Sequence, residues 1–93
     1  MLEKDIERRL VNGVRALGGK AYKFVSPGNV GVPDRLVVMP GGRVVFVELK
    51  TERGKLSPMQ EMQLRHLADM GVAVEVLRGI EDVNNFLEEM GRK

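Results

Sequence analysis

One run of residues, Arg43 to Leu49 (RVVFVEL), constrains the fold of this chain more than any other. It is rich in β-branched and aromatic residues and contains no breaker, which is typical of a β-strand. Apolar residues occupy both of its faces, a pattern that predicts a central strand buried on both sides. Its end, however, carries Glu48 and Lys50. Because they are two positions apart, both side chains leave the same face of the strand.

The residues just upstream predict a second strand, Leu36 to Met39, joined to the first by a Pro-Gly-Gly turn. If all three turn residues form the hairpin loop, the register places Asp34 directly opposite Glu48. A two-residue loop formed by the glycines alone would put the two carboxylates on opposite faces of the sheet. The length of this turn therefore decides whether the two acids meet.

Two opposed carboxylates need a physical reason. Directly opposed cross-strand residues have Cβ atoms roughly 4.5–5.5 Å apart, and like charges there destabilise a sheet. A divalent cation between Asp34 and Glu48 would remove the repulsion, since hard cations such as Mg²⁺ bind carboxylate oxygens. Lys50 would then point its ammonium group toward whatever the cation binds. The alternative interpretation is a solvated strand end at which acidic and basic residues offset each other.

The spacing of these residues matches a known pattern. Asp34 follows a proline and stands fourteen positions before Glu48, which is followed by Leu-Lys. This resembles the PD-(D/E)xK signature of the restriction-endonuclease-like nucleases. The fuller string, GVPDRL, a glycine pair before the strand, VELKT and GKLSPxQ, resembles the VRR-NUC (virus-type replication-repair nuclease) domain. The resemblance covers nearly the whole chain, and Gly31, the turn at 54–58 and Gln60 make it specific.

The resemblance implies a fold and an activity. The fold is α/β with a restriction-endonuclease-like core, as a single nuclease domain over residues 1–93. The activity is that of a Mg²⁺- or Mn²⁺-dependent endodeoxyribonuclease that hydrolyses phosphodiesters. Stand-alone members resemble structure-specific endonucleases that cut four-way (Holliday) junctions as homodimers, so we expect branched DNA and a second copy as partners. The alternatives are a nuclease for flap, nicked or linear DNA, and a catalytically silent nucleic-acid-binding module.

The resemblance also implies roles for individual residues. Asp34 and Glu48 would hold one or two metal ions, together with a backbone carbonyl near Leu49. Lys50 would orient the attacking water or stabilise the transition state. Gln60 would steady the water or a phosphate oxygen. None of these roles needs histidine, serine or cysteine.

The first predicted helix, Leu2 to Leu17, carries two acids on one side, Glu3 and Glu7. From the residues alone, both are solvated charges that pair with neighbouring basic residues. In the resembled superfamily an acidic residue on the first helix commonly joins the metal site. Glu7 matches that position best and would bind the metal directly or through water, with Glu3 as the alternative.

Gln60 also has a purely structural explanation. Ser57 followed by Pro58 predicts a helix start with the serine as N-cap. Ser-x-x-Gln is a capping box, in which the glutamine side chain bonds back to the start of the helix. The resemblance instead implies that Gln60 faces the active site, and we favour that role.

The remaining pattern completes the predicted order α-β-β-β-α-β-α. A β-α-β crossover would make the last strand parallel to its neighbour, beside the antiparallel hairpin, giving a mixed four-stranded sheet flanked by helices. The further elements predicted from periodicity are strands at Lys20–Val25 and Val72–Leu77 and helices at 58–70 and Glu81–Met90.

Composition limits the possible functions. A net charge of +2 and a pI of about 9.2 permit a nucleic-acid partner. With one Tyr, three Phe and no Trp, phosphate contacts from Lys and Arg should dominate over base stacking. The absence of cysteine excludes disulfides, thiolate zinc sites and cysteine nucleophiles. Without a membrane span or signal peptide, we expect a cytoplasmic protein with no membrane partner, a setting that also fits a phage- or virus-encoded protein acting in its host cell.

Overall fold

The computed structural model describes residues 2–92. These residues form seven elements in the predicted order α-β-β-β-α-β-α, and their bounds are α1 Glu3–Ala16, β1 Lys20–Lys23, β2 Arg35–Met39, β3 Arg43–Lys50, α2 Pro58–Asp69, β4 Val74–Arg78 and α3 Gly79–Arg92. The strands form one sheet in the spatial order β1-β2-β3-β4. The first three strands are antiparallel and β4 runs parallel to β3, so the mixed four-stranded sheet is confirmed.

The hairpin between β2 and β3 has the three-residue loop. Met39 pairs with Arg43, and the ladder continues to the pair Arg35–Val47. Gly41 and Gly42 both have positive φ, 88° and 85°, a backbone conformation that residues with a Cβ adopt only at a cost. The glycines therefore let three residues close the loop, and the register that depends on this loop length is confirmed.

One face of the sheet carries the core. Its side chains from β2, β3 and β4 pack against α1 and α3, and the buried set includes Val37, Val45, Val47, Leu49 and Leu77 of the sheet with Ile6, Leu10, Val14, Val83, Phe86 and Leu87 of the helices. Because the two helices cover this face, Val45, Val47 and Leu49 of β3, which point toward it, are buried.

The opposite face is only partly covered, which corrects the expectation that β3 is buried on both sides. Val44 is 41% exposed and Tyr22 of β1 is 47% exposed on this face. α2 has a single buried residue, Leu64, so it covers little of the sheet. The apolar pattern of β3 indicates a central strand correctly, but it does not reveal how much of the second face a partner element covers.

The observed ends of β1, β4 and α3 differ from the predicted ones by two residues, and those of the other four elements by one. β1 ends at Lys23, although the next residue still bonds the sheet end through Phe24 N–H to Asp34 O at 2.8 Å. β4 covers Val74–Arg78, two residues later than predicted at its start. α3 begins at Gly79 because that glycine, at φ 77°, lets the chain turn directly from strand to helix.

Candidate active site

Asp34 lies one residue before β2 and is held from both sides. Its backbone oxygen accepts the N–H of Phe24, and its side-chain Oδ2 accepts the N–H of Leu49 at 3.2 Å. The β2–β3 ladder, extended by one position beyond Arg35–Val47, places Asp34 opposite Glu48. The aspartate side chain thus bonds the backbone of β3 just beyond the last β2–β3 pair, and this places its carboxylate at the end of β3.

Glu48 is the one charged residue in the buried interior of the described chain, with 2% of its surface exposed. Oε2 accepts a hydrogen bond from Gln60 Nε2 at 3.0 Å and lies 3.9 Å from Lys50 Nζ. Within residues 2–92, Oε1 is buried and has no hydrogen-bond partner. A buried carboxylate oxygen without a donor is costly, so this atom is available to a ligand that the protein alone does not supply.

The electrostatics of Glu48 reflect the same arrangement. Burial and, to a smaller extent, the negative charge of Asp34 raise the pKa of Glu48 from 4.5 to about 7, against the opposing effect of the Lys50 ammonium. Both raising effects act by disfavouring the carboxylate anion, the first through desolvation and the second through repulsion. A cation between the acids would offset both the desolvation of Glu48 and its repulsion by Asp34, because it stabilises the carboxylate anion.

The side chain of Gln60 makes the contacts of a helix cap and also reaches the buried carboxylate. Its side-chain oxygen accepts the N–H of Ser57 at 2.9 Å, and its own N–H donates to the Ser57 hydroxyl at 3.1 Å, so the capping box is confirmed. Its side-chain nitrogen meanwhile donates to Glu48. One amide therefore caps α2 and contacts the buried carboxylate.

Glu7 and Glu3 reach the same region from α1. Both line an open cavity of about 340 Å³ together with Lys4, Lys23, Asp34 and Leu49. The carboxylate of Glu7 is ion-paired with Arg35, whose guanidinium also donates to Ala21 O at 3.0 Å. Glu7 therefore faces the cavity of Asp34 while it is held by an arginine.

The carboxylate pair fits a hard divalent cation. In the part of the chain from 2 to 92, no group of three or more histidine, cysteine, aspartate or glutamate side chains is placed to hold a metal ion. Two carboxylates are nevertheless present, and one of their oxygens, Glu48 Oε1, is buried and unpartnered. An oxygen-only donor set of this kind suits Mg²⁺ or Mn²⁺, with waters filling the remaining positions.

Arg35 is a site residue that the sequence analysis missed. It lies on the helix-covered face of β2, next to Asp34, and its Nε is buried without a partner among the described residues. An arginine side chain that is largely covered, as this one is with 14% of it exposed, usually requires a carboxylate, and α1 supplies Glu7. An arginine at an inward position of a strand, with an acid on the helix that covers it, is the signal that could have found the pair.

Comparison with known proteins agrees with this geometry. The VRR-NUC domain model matches residues 4–81. "Putative nuclease p44" of Acyrthosiphon pisum secondary endosymbiont phage 1 is 47% identical over 85 residues, covering 91% of this chain and 90% of that protein. A solved structure described as "VRR_NUC domain" superposes with a TM-score of 0.87 at 31% identity, covering 92% of this chain and 94% of the other.

A second solved structure, described as "VRR_NUC domain protein", has a TM-score of 0.72 at 17% identity and covers 99% of this chain and 89% of the other. At that identity the likeness concerns the fold alone. Within residues 2–92, no helix is both long enough and apolar enough to cross a membrane. The match over residues 4–81 includes every candidate site residue except Glu3, and the chain belongs to the VRR-NUC family of nuclease domains.

Proposed function

We propose that this protein is a Mg²⁺- or Mn²⁺-dependent endodeoxyribonuclease that cuts four-way DNA junctions as a homodimer. The observation that carries the metal-dependent step is the buried carboxylate of Glu48, which has an unpartnered oxygen and lies opposite Asp34. Asp34 and Glu48 would hold the cation, with the carbonyl of Leu49 completing the protein ligands. Glu7, which lines a cavity together with Asp34 and Leu49, would join them directly or through water.

A bound divalent cation supplies Lewis acidity, which makes a water more acidic and offsets negative charge on the phosphate. The residues of the chain supply positioning. Leu49 N–H holds Asp34 Oδ2, and Gln60 Nε2 holds Glu48 Oε2, so each carboxylate has one oxygen fixed by a donor. The ammonium of Lys50, 3.9 Å from Glu48 Oε2, places a positive charge where the attacked phosphate gains negative charge.

Charge around the cavity supports DNA as the substrate. Lys4 and Lys23 line the cavity that contains Asp34, and Lys50 lies at the end of β3 beside Glu48. These three ammonium groups can contact successive phosphates on a strand that passes the carboxylates. Contacts of this kind follow the backbone and not the bases, which suits an enzyme that selects a DNA shape over a sequence.

The half-exposed apolar side chains on the open face of the sheet support self-association. Tyr22 and Val44 lie on that face, where no helix of the described chain covers them. A C2 dimer would bury apolar surface of this kind and present two equivalent sites. A four-way junction contains two equivalent strands to be cut, so the symmetry of the enzyme would match that of the substrate.

The test compares four substrates that share one sequence: a four-way junction, a flap, a nicked duplex and a linear duplex. Each is incubated with the protein in Mg²⁺, in Mn²⁺ and in EDTA, with Asp34→Asn as the inactive control, while light scattering gives the mass in solution. We expect a dimer, cleavage only with metal, and a strong preference for the junction. A monomer that cuts all four substrates equally would contradict the assignment to four-way junctions. Cleavage without metal would contradict the metal-dependent mechanism, and absence of cleavage would contradict the nuclease function.

A further inference from the structure

The side chain of Gln60 is engaged at both of its polar ends. Oε1 accepts the backbone N–H of Ser57 at 2.9 Å, and Nε2 donates to Glu48 Oε2 at 3.0 Å. An amide can make both bonds in one orientation only. Rotating it by half a turn would set its oxygen against a carboxylate oxygen and its NH₂ against an N–H, replacing two hydrogen bonds by two repulsive contacts. Whatever holds Oε1 therefore decides that a donor faces Glu48.

Ser57 is the residue that holds Oε1, and its own conformation is fixed by Gln60 in return. Its φ of −75° and ψ of 161° are those of an N-cap, and its hydroxyl accepts the Gln60 N–H at 3.1 Å. The two reciprocal bonds close a ring between positions 57 and 60. The ring lies at the start of α2, next to the carboxylate pair and not within it.

The backbone of the first turn of α2 is located independently by the loop that leads to Asp34. A Cβ on Gly31 would lie 2.7 Å from both the carbonyl carbon and the carbonyl oxygen of Met59, so loop and helix are in direct contact. Gln63 Nε2 also donates to Val30 O at 3.2 Å. These contacts locate the start of the helix, and the two hydrogen bonds of the Gln60 side chain then set the orientation of its amide.

We propose that Ser57 is a positioning residue for DNA cleavage, which acts by holding the Gln60 amide so that its nitrogen donates to Glu48. The inference rests on the nuclease function proposed above and extends it to a residue outside the carboxylate-lysine set. The competing explanation is that Ser57 is only an N-cap, which would stabilise α2 without affecting the chemistry.

Three variants at this position separate the two explanations. Ser57→Thr keeps the hydroxyl and the N–H, Ser57→Ala loses the hydroxyl, and Ser57→Pro loses both while its ring accepts the observed φ of −75°. Each is measured alone and in the Gln60→Ala background, with circular dichroism to verify folding. We expect Thr to match the wild type and Pro to lower kcat about 10- to 100-fold, the range typical of residues that orient a metal ligand, with Ala between them and KM for DNA unchanged.

The double variants distinguish a role in positioning Gln60 from a role in capping alone. If Ser57 acts through Gln60, none of the three changes lowers kcat further once Gln60 is alanine. An equal reduction of kcat in both backgrounds, or a wild-type kcat for a folded Ser57→Pro, would overturn the proposal.

A second measurement needs no DNA and no metal. In ¹⁵N-labelled protein the side-chain NH₂ signals of Gln60 report its hydrogen bond to Glu48. We expect them to move to the positions of a solvent-exposed glutamine, with fast water exchange, in Ser57→Pro, to move part of the way in Ser57→Ala, which keeps the N–H, and to stay in place in Ser57→Thr. Unchanged signals would overturn the positioning role. A wild-type protein that cuts no DNA would overturn the proposed function instead, and the amide signals would then decide on their own whether Ser57 holds Gln60.

Discussion

Asp34 Oδ2 accepts the backbone N–H of Leu49 at 3.2 Å, so a side chain continues the hydrogen bonding of β3 where its pairing with β2 ends. The residue therefore has a structural contact and a proposed metal-binding role, and the two can be separated. Asparagine retains an acceptor oxygen at the same place and loses the charge, whereas alanine loses both.

We expect Asp34→Asn to melt close to the wild type and to lose Mg²⁺-dependent cleavage, because a neutral amide is a weak ligand for a hard cation. Asp34→Ala should lose cleavage equally and should also lower the free energy of unfolding, by about 0.5–1.5 kcal/mol for the missing hydrogen bond. Thermal melts and cleavage rates of the two variants test this directly. Full activity of Asp34→Asn would exclude the aspartate as an essential ligand.

The raised pKa of Glu48 predicts an unusual pH dependence of stability. Its pKa rises from 4.5 to about 7, chiefly through burial and then through Asp34. Between these values the unfolded chain has already released a proton that the folded protein keeps, so a rise in pH through this window lowers the free energy of unfolding. In EDTA we expect the melting temperature to fall over that window, and Glu48→Gln to remove this part of the fall.

The same variant provides the metal control. Above about pH 7, Mg²⁺ or Mn²⁺ should raise the melting temperature of the wild type by mass action, because the ion binds the folded carboxylate pair. Glu48→Gln should show little or no such rise. An equal rise in both proteins would place the bound metal elsewhere on the molecule.

Gln60→Glu and Gln60→Ala separate the effect of the capping bond to Ser57 from that of the hydrogen bond to Glu48. A glutamate preserves the capping box, since Ser-x-x-Glu caps a helix as Ser-x-x-Gln does, but its carboxylate replaces the donor to Glu48 by a repulsive contact. We expect it to remain folded and to lose about 10- to 100-fold in kcat. Alanine should lose the same activity and in addition about 0.5–2 kcal/mol of stability. Cleavage near the wild-type rate in both would restrict Gln60 to capping.

The contact between Gly31 and α2 can be tested against a second glycine. Both Gly31 and Gly28 have positive φ, 90° and 83°, but a Cβ on Gly28 meets nothing within 4 Å, whereas one on Gly31 meets the Met59 backbone at 2.7 Å. Gly28→Ala therefore measures backbone strain alone, about 1–2 kcal/mol. We expect Gly31→Ala to destabilise the protein more and to slow cleavage, since it displaces the turn that carries Gln60. Equal melting temperatures and rates for the two variants would contradict this.

The hairpin is predictable from the sequence because it depends on local rules, and the same rules state the condition under which the two carboxylates meet, a three-residue loop. Three residues close the loop between Met39 and Arg43, and the two-residue period of the strands then fixes which side chains face each other. The capping box at Ser57 is equally local. These features need only the spacing of residues near one another in the chain.

Other features depend on how distant elements pack, and the spacing of residues does not contain that information. The pairing of Glu7 with Arg35 is set by the position of α1 on the sheet. The exposure of Val44 depends on how little of the second face α2 covers. Gln60 was predicted to have one of two roles, and only the placement of α2 beside Glu48 shows that a single amide can make both contacts.

The Pro-Gly-Gly turn at 40–42 lies at the end of the hairpin away from the two acids, and open space surrounds both of its glycines. No neighbouring atom therefore limits substitution here, but the positive φ of both glycines strains any residue with a Cβ. The length of the turn is limited in a different way, because one residue more or fewer would shift β2 by one step and turn Asp34 to the wrong side of the sheet. The number of residues between the two strands thus decides whether the site can form, so an insertion or deletion in this turn should abolish cleavage, whereas replacing either glycine should cost only the stability lost to backbone strain.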